Sequence, residues 1–280
     1  QIVGYDPILI DKIEVIKGPG TFLYVNNGFA GLVNIINPLI AVDKPLADEN
    51  YELGFGYKTS GGELGTALKL SKSVNNFTVR GSGSLLSAGP YDLANVSTKQ
   101  ANSSKFMSSG GVGITYNDGE NFLGVSLDKL EAIYQNPGAE GEENMTSLNP
   151  TRNTISFNSS LALNYMVFEK FNLEGSVSEY NHAERTGDGN NHNITFFNDL
   201  YELKTSLNHK SLFNQNLEGL IGFHFQNKNQ GATGTEEGHL TPTKTNSFAF
   251  FVLEKLKFDL FDLDLGGRVE SVNLKTTTYD

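Results

Sequence analysis

Residues 51–58 read Tyr-Glu-Leu-Gly-Phe-Gly-Tyr-Lys. Tyr51, Leu53, Phe55 and Tyr57 are large and apolar, and Glu52, Gly54, Gly56 and Lys58 between them are polar or small. Successive side chains of a strand point to opposite faces, so a period of two describes a strand with one apolar face. The pattern recurs along the chain. Leu123, Val125 and Leu127 alternate with Gly124, Ser126 and Asp128; Ile155, Phe157, Leu161, Leu163 and Tyr165 alternate with Ser156, Asn158, Ala162 and Asn164. Leu217, Ile221, Phe223 and Phe225 alternate with Glu218, Gly222, His224 and Gln226, and Phe261, Leu263, Leu265 and Val269 with Asp262, Asp264, Arg268 and Glu270.

The connections alternate as well. Short ones are expected near 73–76, 117–121, 168–170, 211–216 and 257–259, and long ones near 89–107, 134–151, 182–195 and 227–243. This spacing gives about eleven strands over residues 50–275, each about ten residues long, the length that crosses a bilayer as a tilted strand. The four prolines beyond residue 45, Pro90, Pro137, Pro150 and Pro242, all fall in the long connections, as strands that must donate every backbone N–H require. Phe77, Phe122, Phe168, Phe171, Phe213 and Phe258 flank the short turns in the manner of an aromatic girdle at one membrane interface. Short turns at one end, long loops at the other and a girdle together describe an all-β, transmembrane antiparallel barrel. A soluble β-sandwich also has alternating strands, but it does not usually segregate long and short connections so regularly.

Composition narrows the functions. The 280 residues carry 21 Lys+Arg against 32 Asp+Glu, a net charge of −11, with no basic block, so a nucleic-acid partner is not expected. With no cysteine there is no disulfide scaffold, CxxC metal site or thiol nucleophile. GxSxG and HExxH are absent, and the Glu142-Glu143 pair has no recognisable partner, so the chain does not read as an enzyme. There is no run of about 18 apolar residues that would form a transmembrane helix, and no signal peptide is visible.

Residues 1–42 differ in character from the rest. Asp11-Lys12-Ile13-Glu14-Val15-Ile16 alternates as a half-buried strand, Gly18-Pro19-Gly20 breaks it, and Leu32-Val33-Asn34-Ile35-Ile36 forms a second strand. The stretch Ile13-Glu14-Val15-Ile16-Lys17-Gly18-Pro19, followed by Leu23-Tyr24 and then Ala30-Gly31-Leu32-Val33-Asn34-Ile35-Ile36, resembles the end of the plug domain of TonB-dependent outer-membrane receptors. That family's pattern is IEVxRGPxxxLYG followed by GGxVNI. The chain departs from it at Lys17, Val25 and Ala30 while keeping order and spacing. The resemblance implies residues 1–42 as the C-terminal part of a plug and 46–280 as the N-terminal half of a barrel of about 22 strands with a plugged lumen. Glu14, Gly18, Pro19, Tyr24, Gly31 and Asn34 are then structural motif residues. An odd set of eleven strands does not close as a bacterial barrel, so the sequence is expected to be a piece of a longer receptor or to be completed by another chain.

Two later stretches, 182–196 and 234–245, are similar to the TonB-dependent zinc receptor group, in which histidine- and acid-rich extracellular loops capture metal. The resemblance orients the long connections outward. It implies loop four (His182, Glu184, Asp188, His192) and loop five (Glu236, Glu237, His239) as a first capture site for Zn²⁺, with His224 on the lumen side of the strand leading into loop five. Imidazole nitrogen and carboxylate oxygen suit zinc. Solvated loop residues would look the same from sequence. His209, near the opposite end, reads as structural. Asp262, Asp264, Glu270 and Arg268 read as lumen residues hydrogen-bonded to the plug. Zinc is thus cargo, with no resident cofactor. The implied partners are the TonB–ExbB–ExbD energising complex and outer-membrane lipid in a Gram-negative cell. Uptake of haem or a siderophore-type chelate, and a surface interaction barrel that does not transport, are the alternatives.

Overall fold

The computed structural model describes residues 7–24, 31–36, 39–42, 48–94, 97–137, 146–186, 192–213, 216–234 and 240–276. Two short strands, β1 (Lys12–Ile16) and β2 (Leu32–Ile36), pair antiparallel. Eleven further strands form one antiparallel sheet in chain order: β3 (Glu49–Lys58), β4 (Glu63–Val74), β5 (Phe77–Ala88), β6 (Lys105–Asn117), β7 (Phe122–Asn136), β8 (Thr146–Tyr165), β9 (Phe168–Thr186), β10 (His192–Leu212), β11 (Leu217–Gly234), β12 (Thr243–Lys257) and β13 (Asp262–Thr276).

The faces divide as the alternation predicts. On the outer face Phe55 and Val269 are 70% and 76% exposed, while Thr115 on the inner face is 1% exposed. In β7, Leu123, Val125, Leu127 and Ile133 face out, and Leu130, Ala132 and Ser126 are buried on the other side. A continuous row of exposed apolar side chains on the outside, with polar, small and covered residues inside, is the arrangement of a lipid-facing wall. The pairing is also staggered. A row of directly opposed residues starts at Phe77, the first residue of β5, and crosses Tyr116, Leu123, Ser159, Leu173, Thr205, Phe223 and Phe250 to Val269. Val269 lies seven residues beyond the start of β13. Such an accumulating stagger is what strand tilt in a barrel wall produces.

Four details differ from the sequence reading. β8, β9 and β10 run for 20, 19 and 21 residues, so most of 182–195 is strand. A strand continuing into water past the bilayer has two wet faces and loses its alternation. Pro150 sits inside β8, buried, opposite His182 of β9. The β7–β8 ladder is interrupted between Glu131↔Thr151 and Tyr134↔Leu148, where the proline has no N–H to donate. The turn after β8 falls at 166–167, where Met166 takes a positive φ of 53° without glycine or asparagine to announce it. Phe122 leaves the girdle: its side chain is buried on the inner face, beside Gly124, against which Ile40 packs.

The segment before β3 lies against the inner face. The backbone N–H of Ala41 donates to Thr115 Oγ1 at 3.1 Å, and Asn117 Nδ2 donates to the carbonyl of Val42 at 2.9 Å. Leu39 passes so close to β6 that a Cβ on Gly113 would lie 2.2 Å from the Leu39 carbonyl oxygen. At the other end Lys69 Nζ pairs with Asp11 at 2.5 Å.

Candidate functional site

The motif residues of the inner segment make one small scaffold. Glu14 and Asn34 are direct partners across β1 and β2, and Asn34 Nδ2 donates to Glu14 Oε2 at 3.3 Å. Hydrogen bonds from Lys12 and then Asn34 hold the Glu14 carboxyl below its ordinary value. Gly18, at φ 67°, turns the chain out of β1 into a 3-10 turn, Gly18–Leu23, with Pro19 at its start. Thr21 Oγ1 donates to the Gly18 carbonyl at 2.9 Å, and the Tyr24 N–H closes the turn onto the Thr21 carbonyl at 3.0 Å. Gly31, at φ 110°, begins the return into β2 where a Cβ would stand 3.1 Å from the Ile16 carbonyl oxygen.

This turn sits on the inner face of β10–β13. Pro19 and Phe22 lie where a Cβ on Gly266 would approach them to 2.8 and 2.9 Å. Arg268, its side chain 1% exposed, donates from Nη1 to the Phe22 carbonyl at 3.1 Å, from Nε to Glu270 Oε2 at 3.0 Å and from Nη2 to His224 Nδ1 at 3.1 Å. A guanidinium has donors only, so Nδ1 of His224 accepts and Nε2 carries the proton, donated to Glu202 Oε1 at 2.6 Å. Lys204 pairs with Glu174 at 2.8 Å, and its ammonium stands 4.2 Å from the centre of the Tyr24 ring, a cation–π contact. The expected contact between lumen polar residues and the inner segment therefore exists at Arg268. Asp262 instead pairs with Lys255 at 2.8 Å near the short-turn end. His209 Nε2 bonds Glu254 at 3.0 Å, and its Nδ1 bonds the Lys210 carbonyl at 2.8 Å.

A second cluster lies further along the same face. His182 is buried, with Nδ1 3.3 Å from the Tyr180 hydroxyl and the rings of Phe196, Tyr180 and Tyr134 edge-on at 6.0, 6.3 and 6.4 Å. Its Nε2 has no hydrogen-bond partner among the described residues, and Glu184 Oε1 stands 3.5 Å from it. This pair could accept a cation between nitrogen and carboxylate.

The expected metal residues distribute as follows. His182 and Glu184 belong to β9 rather than to a loop, and His192 opens β10 with its backbone paired to Thr186. Asp188, Glu236, Glu237 and His239 lie outside the described residues. His182 faces Phe196 and His224 faces Lys204, eight residues apart along β10 or about 26 Å at the rise of a strand. The two imidazoles therefore belong to different clusters. Among the described residues no three His, Asp or Glu side chains gather to hold a metal ion. Sequence reasoning missed Glu202, Lys204 and Glu174. Their inward position followed from alternation, but nothing in one strand reveals what its neighbours place beside it.

No family model matches the sequence, and no curated protein matches it significantly. Solved structures do. The chain superposes on the copper transporter OprC with a TM-score of 0.74 at 15% identity, over 96% of this chain and 43% of that one. It superposes on the FrpB iron transporter from Neisseria meningitidis (F3-3 variant) with a TM-score of 0.75 at 12% identity, over 97% of this chain and 50% of that one. The chain thus spans half or less of the length of these neighbours, which are transporters and not enzymes. At such identities the likeness is one of fold: the antiparallel sheet of barrel-wall strands.

Proposed function

We propose that this chain is the plug end and first barrel half of a TonB-dependent outer-membrane receptor that imports a metal ion, with zinc as the first candidate. The observation that carries the reading is the seat of the 18–24 turn on the inner wall, with the Phe22 carbonyl held by Arg268. An apolar-outside sheet with a motif-bearing segment bonded to its polar inside is a gated wall. Substrate binds at the outer end of the lumen, binding is relayed to the plug, and TonB–ExbB–ExbD draws the plug aside. The chain's own residues bind and gate; no bond of the cargo is broken. That the neighbouring structures carry copper and iron transporters' names supports a metal cargo in general.

For zinc, His182 Nε2 and the Glu184 carboxylate supply a first nitrogen and oxygen on β9. His192 at the start of β10, with Asp188, Glu236, Glu237 and His239 from outside the described residues, would complete the set. The test is calorimetric zinc titration of the full-length receptor in detergent, beside a His182→Ala/His192→Ala/His239→Ala variant. Micromolar or tighter binding that the variant loses supports zinc. Equal binding by both, or none, overturns the histidine site and moves haem or a chelate forward. Uptake that persists when TonB is deleted overturns the energised mechanism.

A further inference from the structure

We propose that Arg268 is the clamp that seats the plug turn on the barrel wall, with His224, Glu202 and Glu270 as its positioning residues, and that this clamp opens before a path through the lumen forms. The inference rests on the receptor reading above and adds to it the wall residue that holds the gate shut.

Two independent observations meet at this spot. The first is the hydrogen-bond set. Arg268 is nearly fully buried and divides its donors among Glu270, His224 and one atom of the inner segment, the Phe22 carbonyl. The two wall acceptors fix the guanidinium plane. Glu202 holds His224 by Nε2, so that Nδ1 is left to accept from Arg268. The fork is thereby aimed before the plug arrives. The second is packing. Gly266, two residues from Arg268 on the same face of β13, leaves the space that Pro19 and Phe22 of the turn share with the wall side chain of Leu253. Lys204 over the Tyr24 ring fastens the far end of the same turn.

The design suits a contact that must also release. The clamp takes a backbone carbonyl of the plug and no plug side chain, so the strength of the bond is set on the wall side. When the turn leaves, Nη1 faces a polar lumen where water can replace the carbonyl, while Glu270 and His224 keep the rest of the guanidinium paired. A buried cation stripped of all partners would resist opening; this one loses a single partner.

The test uses the full-length receptor in cells and requires no cargo. Arg268→Ala, Arg268→Lys, His224→Ala and Gly266→Leu are scored for entry of vancomycin, a glycopeptide that an intact outer membrane excludes, at matched receptor level and heat-modifiability. Arg268→Ala and Gly266→Leu are expected to sensitise cells several-fold. His224→Ala should do so less, and Arg268→Lys should restore only part of the seal because an ammonium is a single point and not a fork. A Pro19→Cys/Gly266→Cys pair, oxidised to a disulfide in the Arg268→Ala background, should restore exclusion, and reduction should remove it. Arg268→Ala at normal level with full exclusion overturns the clamp. If Arg268→Ala fails to reach the membrane, full exclusion by Gly266→Leu with no disulfide between positions 19 and 266 does so equally. Loss of zinc binding or uptake in the wild-type receptor would strike the cargo reading and leave these readouts unchanged.

Discussion

Glu14 and Asn34 face each other across β1 and β2, the side-chain amide of one donating to the carboxylate of the other at 3.3 Å. A two-stranded pair is marginal on its own, so this bond and the Lys12 contact matter to its order. The Glu14 carboxyl is held below its ordinary value. Its contribution is therefore present above the unfolded-state carboxylate range, about pH 4.3, and is lost as pH falls through the lower folded value. Asn34→Ala should speed amide exchange at Val33 and Ile35 near neutral pH, and the difference from wild type should shrink below about pH 4. Exchange measured by mass spectrometry on the protein in detergent checks this; an equal difference at all pH values contradicts it.

Asp118 closes the turn between β6 and β7. Its Oδ1 accepts the backbone N–H of Asn121 at 2.7 Å and of Glu120 at 3.0 Å. These bonds lower its carboxyl to about 2. Because the folded value is depressed, the stabilisation is present above the unfolded value near 3.8 and is lost as pH falls through about 2. Asp118→Ala should lower the unfolding midpoint at pH 7 and converge on wild type only below about pH 2, as thermal scans in detergent would register.

The outer face should punish charge. Val125 lies on the lipid side of β7 with Leu123 and Leu127. Val125→Arg is expected to cost about 2–4 kcal/mol if it lies near the bilayer midplane. Ser156→Arg on the lumen side of β8 should cost less. Denaturant titration of the protein folded into vesicles compares the two, and equal losses would remove the inside–outside assignment.

Lys204 and Tyr24 provide a coupling that a double-mutant cycle can read. Lys204→Met and Tyr24→Leu, singly and together, should show an interaction energy of about 0.5–2 kcal/mol. Protease susceptibility of the 18–24 turn is a suitable readout. Lys204→Met should also free Glu174, its partner at 2.8 Å, so the single change should exceed the coupling.

Where the wall lies in the bilayer, its strands and their faces were legible, because one apolar and one polar environment impose a period of two. Leu123, Val125 and Leu127 declare their side at once. The same logic fails beyond the bilayer. Around His182 and Glu184 both faces meet protein or water, alternation stops, and strand reads as loop. Pro150 added to the error by suggesting a connection where the ladder simply skips a bond. The clamp was only half legible. Arg268, Glu270 and His224 could be assigned to the inner face, but Glu202, His224 and Arg268 come from β10, β11 and β13 and meet through pairing registers set by several turns.

The inner segment is fastened at Asp11, Phe22, Tyr24, Ala41 and Val42, and these points attach in turn to β4, β13, β10 and β6. They are strung along one chain in sequence order. A tension applied from the N-terminal side loads them in series and not in parallel. The force needed to unseat the segment is then set by its strongest single fastening, and the work is spread over a long extension. A weak, sustained pull can peel away what a sharp collective tug could not.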